Sequence, residues 1–252
     1  MGIIRYFIEL SYNGSAYHGW QRQPNAISVQ ELLEEALSKI LGKTISVVGA
    51  GRTDAGVHAL QMFAHFDLEE KLVDPAETVF LLNAFLPKDI AILSIKRVTA
   101  TAHARFDATE RSYEYHIAAQ KNPFFGDHHY YLKNVPNMNY MNEAAKILLE
   151  NEDFQCFSRT NTDVKTFICK VKKAEWQQEG SRLVFYISAN RFLRNMVRAI
   201  VGTLLEIGQN KRALGDFERV IKSKDRTQAG FSVPAHGLYL TEIRYPDSIF
   251  ID

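Results

Sequence analysis

Apolar and polar residues alternate from Ile3 to Tyr12, with Ile4, Tyr6, Ile8 and Leu10 on one face. That period of two predicts a half-buried strand. SAYHGWQRQPN follows as a loop, and from Ser28 the period changes. Val29, Leu32, Leu33, Ala36, Leu37, Ile40 and Leu41 recur at helical spacing, with a capping box from Ser28 to Glu31 and Gly42 as the stop. TISVVG predicts a second strand. In LQMFAHF, Met62, Ala64 and Phe66 alternate with Gln61, Phe63 and His65, which predicts a third. Asp74 and Pro75 have the chemistry of an N-cap and a first helical turn, so a helix is expected to run to about Leu86. Ile90 to Val98 and Glu110 to Ala119 read as strands.

Beyond residue 120 a similar vocabulary returns. The pattern predicts a helix near Met141 to Leu149, strands near Val171 to Gln177 and Leu183 to Ala189, and a long helix over roughly Arg191 to Ile207. A shorter helix near Leu214 to Lys222 and a closing strand, LYLTEIRY, complete the chain. Strands and helices mix without strict βαβ alternation, which favours an α+β fold with antiparallel pairing and helices on one face. Two α+β domains flanking a cleft are expected, one over 1–108 and one over 109–252.

Composition changes this picture little. The 252 residues are 46% hydrophobic and 23% charged, ordinary for a soluble globular protein. No run approaches the roughly 18 apolar residues of a membrane span. The N-terminus carries Arg5 and Glu9 and reads as a strand rather than a signal peptide. Cys156 and Cys169 lack metal-ligand spacing, so neither a zinc site nor a disulfide scaffold is expected, and a reducing cytoplasm is the plain location. A net charge of +1 leaves nucleic acid open as a partner, because phosphate binding needs local cationic surface only.

Candidate chemistry concentrates in three stretches. GAGRTDAGVHALQMFAHF, residues 49–66, sets Arg52 and Asp54 in a glycine-framed turn that feeds a strand. Asp followed closely by Gly is common turn chemistry, but a turn tied to a buried strand also presents a side chain well. NRFLRNMVRAIVGTLLEIG, residues 190–208, puts Arg191, Arg194, Asn195, Arg198 and Gly202 on one face of the expected helix. Arginines at a helix start oppose the macrodipole, and an anionic partner would offset that cost. HARFDATERSYEYHIAA, residues 103–119, places Tyr113 and Tyr115 on one strand face with Arg105 and Arg111 nearby, as does the loop from Tyr17 to Arg22 with its own aromatic and basic groups. Strand tyrosines are often core, yet aromatic and basic side chains together also stack an unpaired base. His128 and His129 beside Asp127 cannot readily converge on one metal, and neither a Walker loop nor GxGxxG occurs. Neither metal nor cofactor is expected.

These stretches resemble one family. ELSYNGSAYHGWQRQ, GAGRTDAGVHA, HARFDATERSYEYHI, FLRNMVRAIVG and HGLYL occur in order, and with Asp153, Phe154 and Phe157 they are similar to the TruA family of tRNA pseudouridine synthases over nearly the whole chain. The resemblance implies two α+β domains joined along a continuous, mostly antiparallel sheet with a central cleft. It implies isomerisation of uridine to pseudouridine at tRNA positions 38, 39 and 40, in the anticodon stem-loop, by a homodimer without metal or cofactor. By matching blocks it makes Asp54 the catalytic aspartate, Tyr113 the active-site aromatic, Arg198 the basic partner of the acid and Leu238 a wall of the base pocket. Arg52 would help place the RNA and open the site to a flipped nucleotide. The loop cation Arg22, with Arg105, Arg111 and Arg194, would hold phosphates. Burial disfavours a charged carboxylate and a nearby guanidinium favours it, so the pairing suits an ionised nucleophile. A protein that binds tRNA stem-loops without modifying them is the alternative, and a carboxylate glycosidase would need a second acid near the first.

Overall fold

The structure is a computed structural model that describes residues 2–123, 125–160 and 164–251. Its regular elements, in chain order, are β1 (Ile4–Tyr12), α1 (Val29–Leu41), β2 (Val48–Gly49), β3 (His58–Leu68), α2 (Pro75–Phe85), β4 (Ile90–Val98), β5 (Glu110–Ala118), β6 (Tyr130–Tyr131), α3 (Met138–Lys146), β7 (Val171–Glu179), β8 (Arg182–Ala189), α4 (Met196–Gly208), α5 (Leu214–Ser223) and β9 (Leu238–Arg244). The chain is α+β: β1 pairs antiparallel with β3 and β4, β2 with β3, and β8 with β5 and β7, while the short β5–β6 pair is parallel. No described helix is long and apolar enough to cross a membrane. The chain divides into two compact units, Met1–Thr109 with Leu240–Asp252, and Glu110–Tyr239.

In unit 1 the strands lie in the order β4-β1-β3-β9, with β2 also on β3. Helix α1 begins where Ser28 Oγ accepts from Glu31 N and ends at Gly42, whose φ of 67° is left-handed. It buries Val29, Leu33, Ala36 and Leu37 of the stripe that its spacing predicts, and leaves Leu32, Ile40 and Leu41 half-buried. Asp74 caps α2 through Ala76 N and Glu77 N.

Two features depart from the pattern. β1 and β3 alternate in sequence, yet Phe7, Phe63 and His65 are buried as well as Tyr6, Ile8, Met62 and Phe66 on the other face. The C-terminal segment explains this: Tyr245 packs edge-on to Phe7 and Phe63, and Phe250 edge-on to Phe7. Of the expected TISVVG strand only Val48–Gly49 pairs with β3. Helix α1 captures the rest, since Ile45 N donates to Ser38 Oγ (2.9 Å) and Val47 N to Glu34 Oε1 (3.0 Å).

Unit 2 carries β5-β8-β7, with β6 parallel to β5. Helix α3 packs on β7 and on α4, and α5 packs against α3 and α4. Its main correction concerns the helix expected from Arg191. Helix α4 starts at Met196, and Asn195 before it is left-handed, φ 69°, a conformation that Asn tolerates better than most residues. The main chain of 190–195 bonds elsewhere. Asn190 N donates to Lys170 O (3.1 Å), Lys170 N to Asn190 Oδ1 (2.7 Å) and Arg159 N to Arg194 O (3.0 Å). Arg191, Arg194 and Asn195 therefore lie off the helix, and the expected arginine stripe does not exist as a helix face. Arg198 alone of those arginines is helical, in the first turn.

Candidate active site

In unit 1 the chain reverses sharply between β2 and β3. Val57 N donates to Asp54 O (3.2 Å), and Gly56 adopts φ 79°, where a side chain would be strained. The segment from Tyr12 to Trp20 holds this turn from outside. Trp20 N donates to Thr53 O (3.3 Å) and Gly56 N to Tyr17 O (3.3 Å). The hydroxyls of Tyr12 and Thr53 lie 2.9 Å apart, and Gly14 N donates to Nδ1 of buried His58 (3.1 Å). A Cβ at Gly19 would overlap Thr53 O, and one at Gly14 would overlap Val57 O. Close approach of two main chains thus fixes Thr53 and Val57, on either side of half-buried Asp54. A side chain whose root is locked this way is preorganised.

The cations of unit 1 have separate supports. Arg52 is exposed on the Asp54 turn. Arg22 is also exposed, and reaches α1 at Glu31 (3.5 Å) and Glu34 (3.4 Å). Arg105 sits on another turn, where its N donates to His103 Nδ1 (3.1 Å) and its guanidinium lies 5.7 Å from the Phe106 ring centre. That turn is anchored to β3, because Ala104 N donates to His65 Nδ1 (3.1 Å). Burial, with the charges of Arg5 and His103, pulls His65 down to about 4 against the opposing pull of Asp67 and Asp107, so the ring is neutral at neutral pH.

Unit 2 gathers Tyr113, Arg198 and the segment leading to Leu238. Tyr113 and Tyr115 share a face of β5, as strand geometry requires. The Tyr113 ring meets Phe192 edge-on, with ring centres 5.1 Å apart. Tyr115 is buried, and its hydroxyl donates to Pro234 O (2.8 Å). Burial raises that phenol far above its ordinary value, the charge of Tyr130 adds to the shift, and Arg198 opposes it. Arg198 Nε donates to Val233 O (2.7 Å), and Val233 N donates to Arg198 O (3.2 Å). One residue of α4 thereby ties down both sides of Val233.

The strap from 226 to 237 has further anchors. Arg226 donates to Gly230 O (3.0 Å) and Ser232 Oγ (2.9 Å), and Asn195 Nδ2 donates to Ser232 Oγ (2.7 Å). Gly230 N donates to Thr203 Oγ1 (2.9 Å) on α4. A Cβ at Gly202 would overlap Phe231 O, and one at Gly237 would crowd the Tyr115 ring. The strap delivers Leu238, which is buried at the start of β9. Arg111, expected to hold phosphate, spends one Nη1 bond on Asn190 O (3.0 Å), and Arg194 is exposed.

Arg52 and Asp54 thus share one turn in unit 1, while Arg22 and Arg105 stand on other supports. In unit 2 Tyr113 meets Phe192, Arg198 holds Val233, and Tyr115 holds Pro234 four residues before Leu238. Sequence reasoning missed the structural roles of Gly14, Gly19, His58 and Arg226. The paired glycines of NGSAYHGW carried a signal, whereas Arg226 has no local pattern to mark it.

A family model described as tRNA pseudouridine synthase matches residues 10–107 and 144–246, and so enters both units. The chain is 51% identical over 251 residues to tRNA pseudouridine synthase A of Bacteroides fragilis, covering 99% of this chain and 100% of that one. It is 51% identical over 246 residues to the protein of that name from Parabacteroides distasonis, covering 98% of each. The counterpart in Francisella tularensis subsp. novicida is 39% identical over 249 residues, covering 97% of this chain and 95% of its own. With a family match of this extent and full-length relatives at this identity, the chain belongs to the tRNA pseudouridine synthase family.

Proposed function

We propose that this protein isomerises uridine to pseudouridine in tRNA, at positions 38, 39 and 40, with Asp54 as nucleophile. The observation that carries the reading is the bracing of the Asp54 turn by the main chain of residues 14–20, within a family match that spans both units.

The reaction breaks the bond from uracil N1 to ribose C1′, turns the base, joins C5 to C1′ and removes the proton from C5, while N1, vacated by the sugar, gains a proton in its place. Substrate and product contain the same atoms, so neither hydrolysis nor net redox change is needed. An ionised Asp54 attacks the sugar or the base ring, and a rigid root keeps it aligned for either. Arg198 serves as its charge partner. Tyr113 stacks on the extruded base, and its hydroxyl relays the C5 proton, taking it at oxygen as it passes its own proton to water. Leu238 supplies an apolar wall that keeps water from the activated sugar.

Flipping a paired uridine costs a few kcal/mol, and phosphate contacts from Arg52, Arg22, Arg105, Arg111 and Arg194 offset it. The pairs of Arg22 with Glu31 and Glu34 leave its side chain 57% exposed, so exchanging them for phosphate costs little. The working form is a cytoplasmic homodimer that acts without metal or cofactor.

The test is incubation of purified protein with an unmodified tRNA transcript, without added metal or cofactor, followed by mapping of pseudouridine. Wild type is expected to modify positions 38–40 and to release no free uracil. Asp54→Ala is expected to retain tRNA affinity within a few-fold while turnover falls by about 10^4-fold or more. Substantial turnover by Asp54→Ala would overturn nucleophilic catalysis by this residue.

A further inference from the structure

The segment from Asn13 to Trp20 braces the Asp54 turn, and a brace positions only as well as it is itself held. Tyr17 is central to that hold. Its main chain closes the segment on itself, with Tyr17 N donating to Gly14 O (3.0 Å), and reaches the turn, with Tyr17 O accepting from Gly56 N (3.3 Å). Two places where the segment bears on the turn, Gly14 against Val57 and Tyr17 against Gly56, therefore move with this one residue. The Tyr17 side chain is buried, and its hydroxyl donates to Asp89 Oδ1 at 2.5 Å, 72 residues along the chain. Asp89 lies between α2 and β4. Its carbonyl accepts from Asn13 N (2.9 Å), one step beyond the Tyr12–Ile90 pair of the β1–β4 ladder. Asp89 thus holds the segment both at its first residue and at Tyr17. A hydroxyl donating to a carboxylate at this distance makes one of the stronger hydrogen bonds open to side chains. Burial, and then the bond to Asp89, raise the Tyr17 phenol above its ordinary value, so it remains the donor at neutral pH.

We infer that Tyr17 and Asp89 are positioning residues for Asp54: their hydrogen bond holds residues 13–17 in register with the Asp54 turn and so fixes where the carboxylate stands. The inference rests on the proposed role of Asp54 and extends it to a pair given no part in the chemistry. A tie that only stabilises the fold is the competing account, and two features favour positioning. Tyr17 is bonded to Gly56, two residues past Asp54, so a shift of Tyr17 reaches the acid's own turn through one hydrogen bond. The part of the segment after Tyr17 is held without it, by His18 N on Ile27 O (2.9 Å), Val29 N on Gly19 O (3.3 Å) and Gln30 N on Trp20 O (3.0 Å). Loss of the Tyr17–Asp89 bond therefore loosens residues 13–17 rather than releasing the whole segment.

The test is turnover of an unmodified tRNA transcript, per folded molecule, by Tyr17→Phe, Asp89→Ala, Asp89→Asn and the double variant Tyr17→Phe/Asp89→Ala. Tyr17→Phe and Asp89→Ala are each expected to lower kcat about tenfold while KM stays within about twofold. The double variant is expected to fall no further than the worse single one, because the same bond is lost in all three. Asp89→Asn, whose amide oxygen still accepts, is expected to recover most of the loss. Amide hydrogen exchange gives a readout independent of activity. Gly56 N and Val57 N are expected to exchange about tenfold faster in Tyr17→Phe, with the amides of β8 unchanged. Either a wild-type kcat or wild-type exchange in folded Tyr17→Phe would overturn the inference, as would multiplying losses in the double variant or a loss confined to KM. If Asp89→Ala fails to fold, Tyr17→Phe and Asp89→Asn decide by the same readouts. If wild type itself forms no pseudouridine, the proposed reaction fails, and the exchange rates alone then decide the tie.

Discussion

The Asp54 turn of unit 1 and the start of α4 in unit 2 are each held by a second segment, through different chemistry. Around Asp54 the restraint is largely main chain against main chain, made possible by glycines that let carbonyl oxygens stand where a Cβ would be. Around Arg198 it is largely side chain to main chain. Arg198 grips Val233, Arg226 grips Gly230 and Ser232, and Asn195 shares that serine. A glycine clamp has no rotamers to lose and fails when any side chain is added. A guanidinium clamp loses rotamer entropy when it forms and weakens in steps as its bonds are removed. Asp54 therefore stands on the stiffer support, which suits the nucleophilic role proposed for it, because small errors in position are costly there.

The sharpest challenge to this contrast is Gly19→Ala. It adds a Cβ into Thr53 O at a residue with φ 90°, and about 3 kcal/mol or more of destabilisation is expected, with a matching loss of turnover in the folded fraction. Gly51→Ala belongs to the same motif but meets nothing within 4 Å and has no left-handed backbone. It is expected to stay within about 1 kcal/mol of wild type. Denaturant unfolding of the pair would sink the clamp if both behaved alike.

Arg226→Ala should be milder. It removes bonds to Gly230 O and Ser232 Oγ, but the strap keeps Thr203, Asn195 and Arg198 as anchors. A loss of about 2 kcal/mol is expected. A loss equal to that of Gly19→Ala would erase the distinction between the two clamps.

The smallest effect at neutral pH is expected from His65→Asn, whose amide oxygen can replace Nδ1 as acceptor for Ala104 N. Because His65 titrates near 4 when folded and near 6.5 when unfolded, its contribution is complete above pH 6.5. It is lost progressively as pH falls toward 4, where the unfolded chain binds the proton first. Arg5, His103, Asp67 and Asp107 face the ring and set that value. The variant should flatten this part of the stability profile, and an unchanged profile would assign the acid sensitivity elsewhere.

Much of the local structure was legible in the chain. Ser28 and Gly42 bracket α1, Asp74 and Pro75 start α2, and the limits of β4 match its apolar run, because caps and periodicity act over a few residues. The glycine-framed turn before β3 was legible for the same reason. Helical spacing over residues 191–207 was misleading because spacing reports which face is apolar, not where a backbone finds its hydrogen bonds. Arg194 O and Asn190 found theirs on Arg159 and Lys170, and no local pattern encodes such partners.

The amino-acid order by itself determined most of the helices and strands, where several of them stop, and which residue types are available for chemistry. Tertiary structure decided which glycines are clamps, that the second face of β1 and β3 is covered by the C-terminal segment, and that Arg111, Arg159 and Lys170 bond to one unwound loop. The division has one physical cause. Propensity and capping are settled between near neighbours, whereas close approach, burial and shared hydrogen bonds exist only once distant parts of the chain have been brought together.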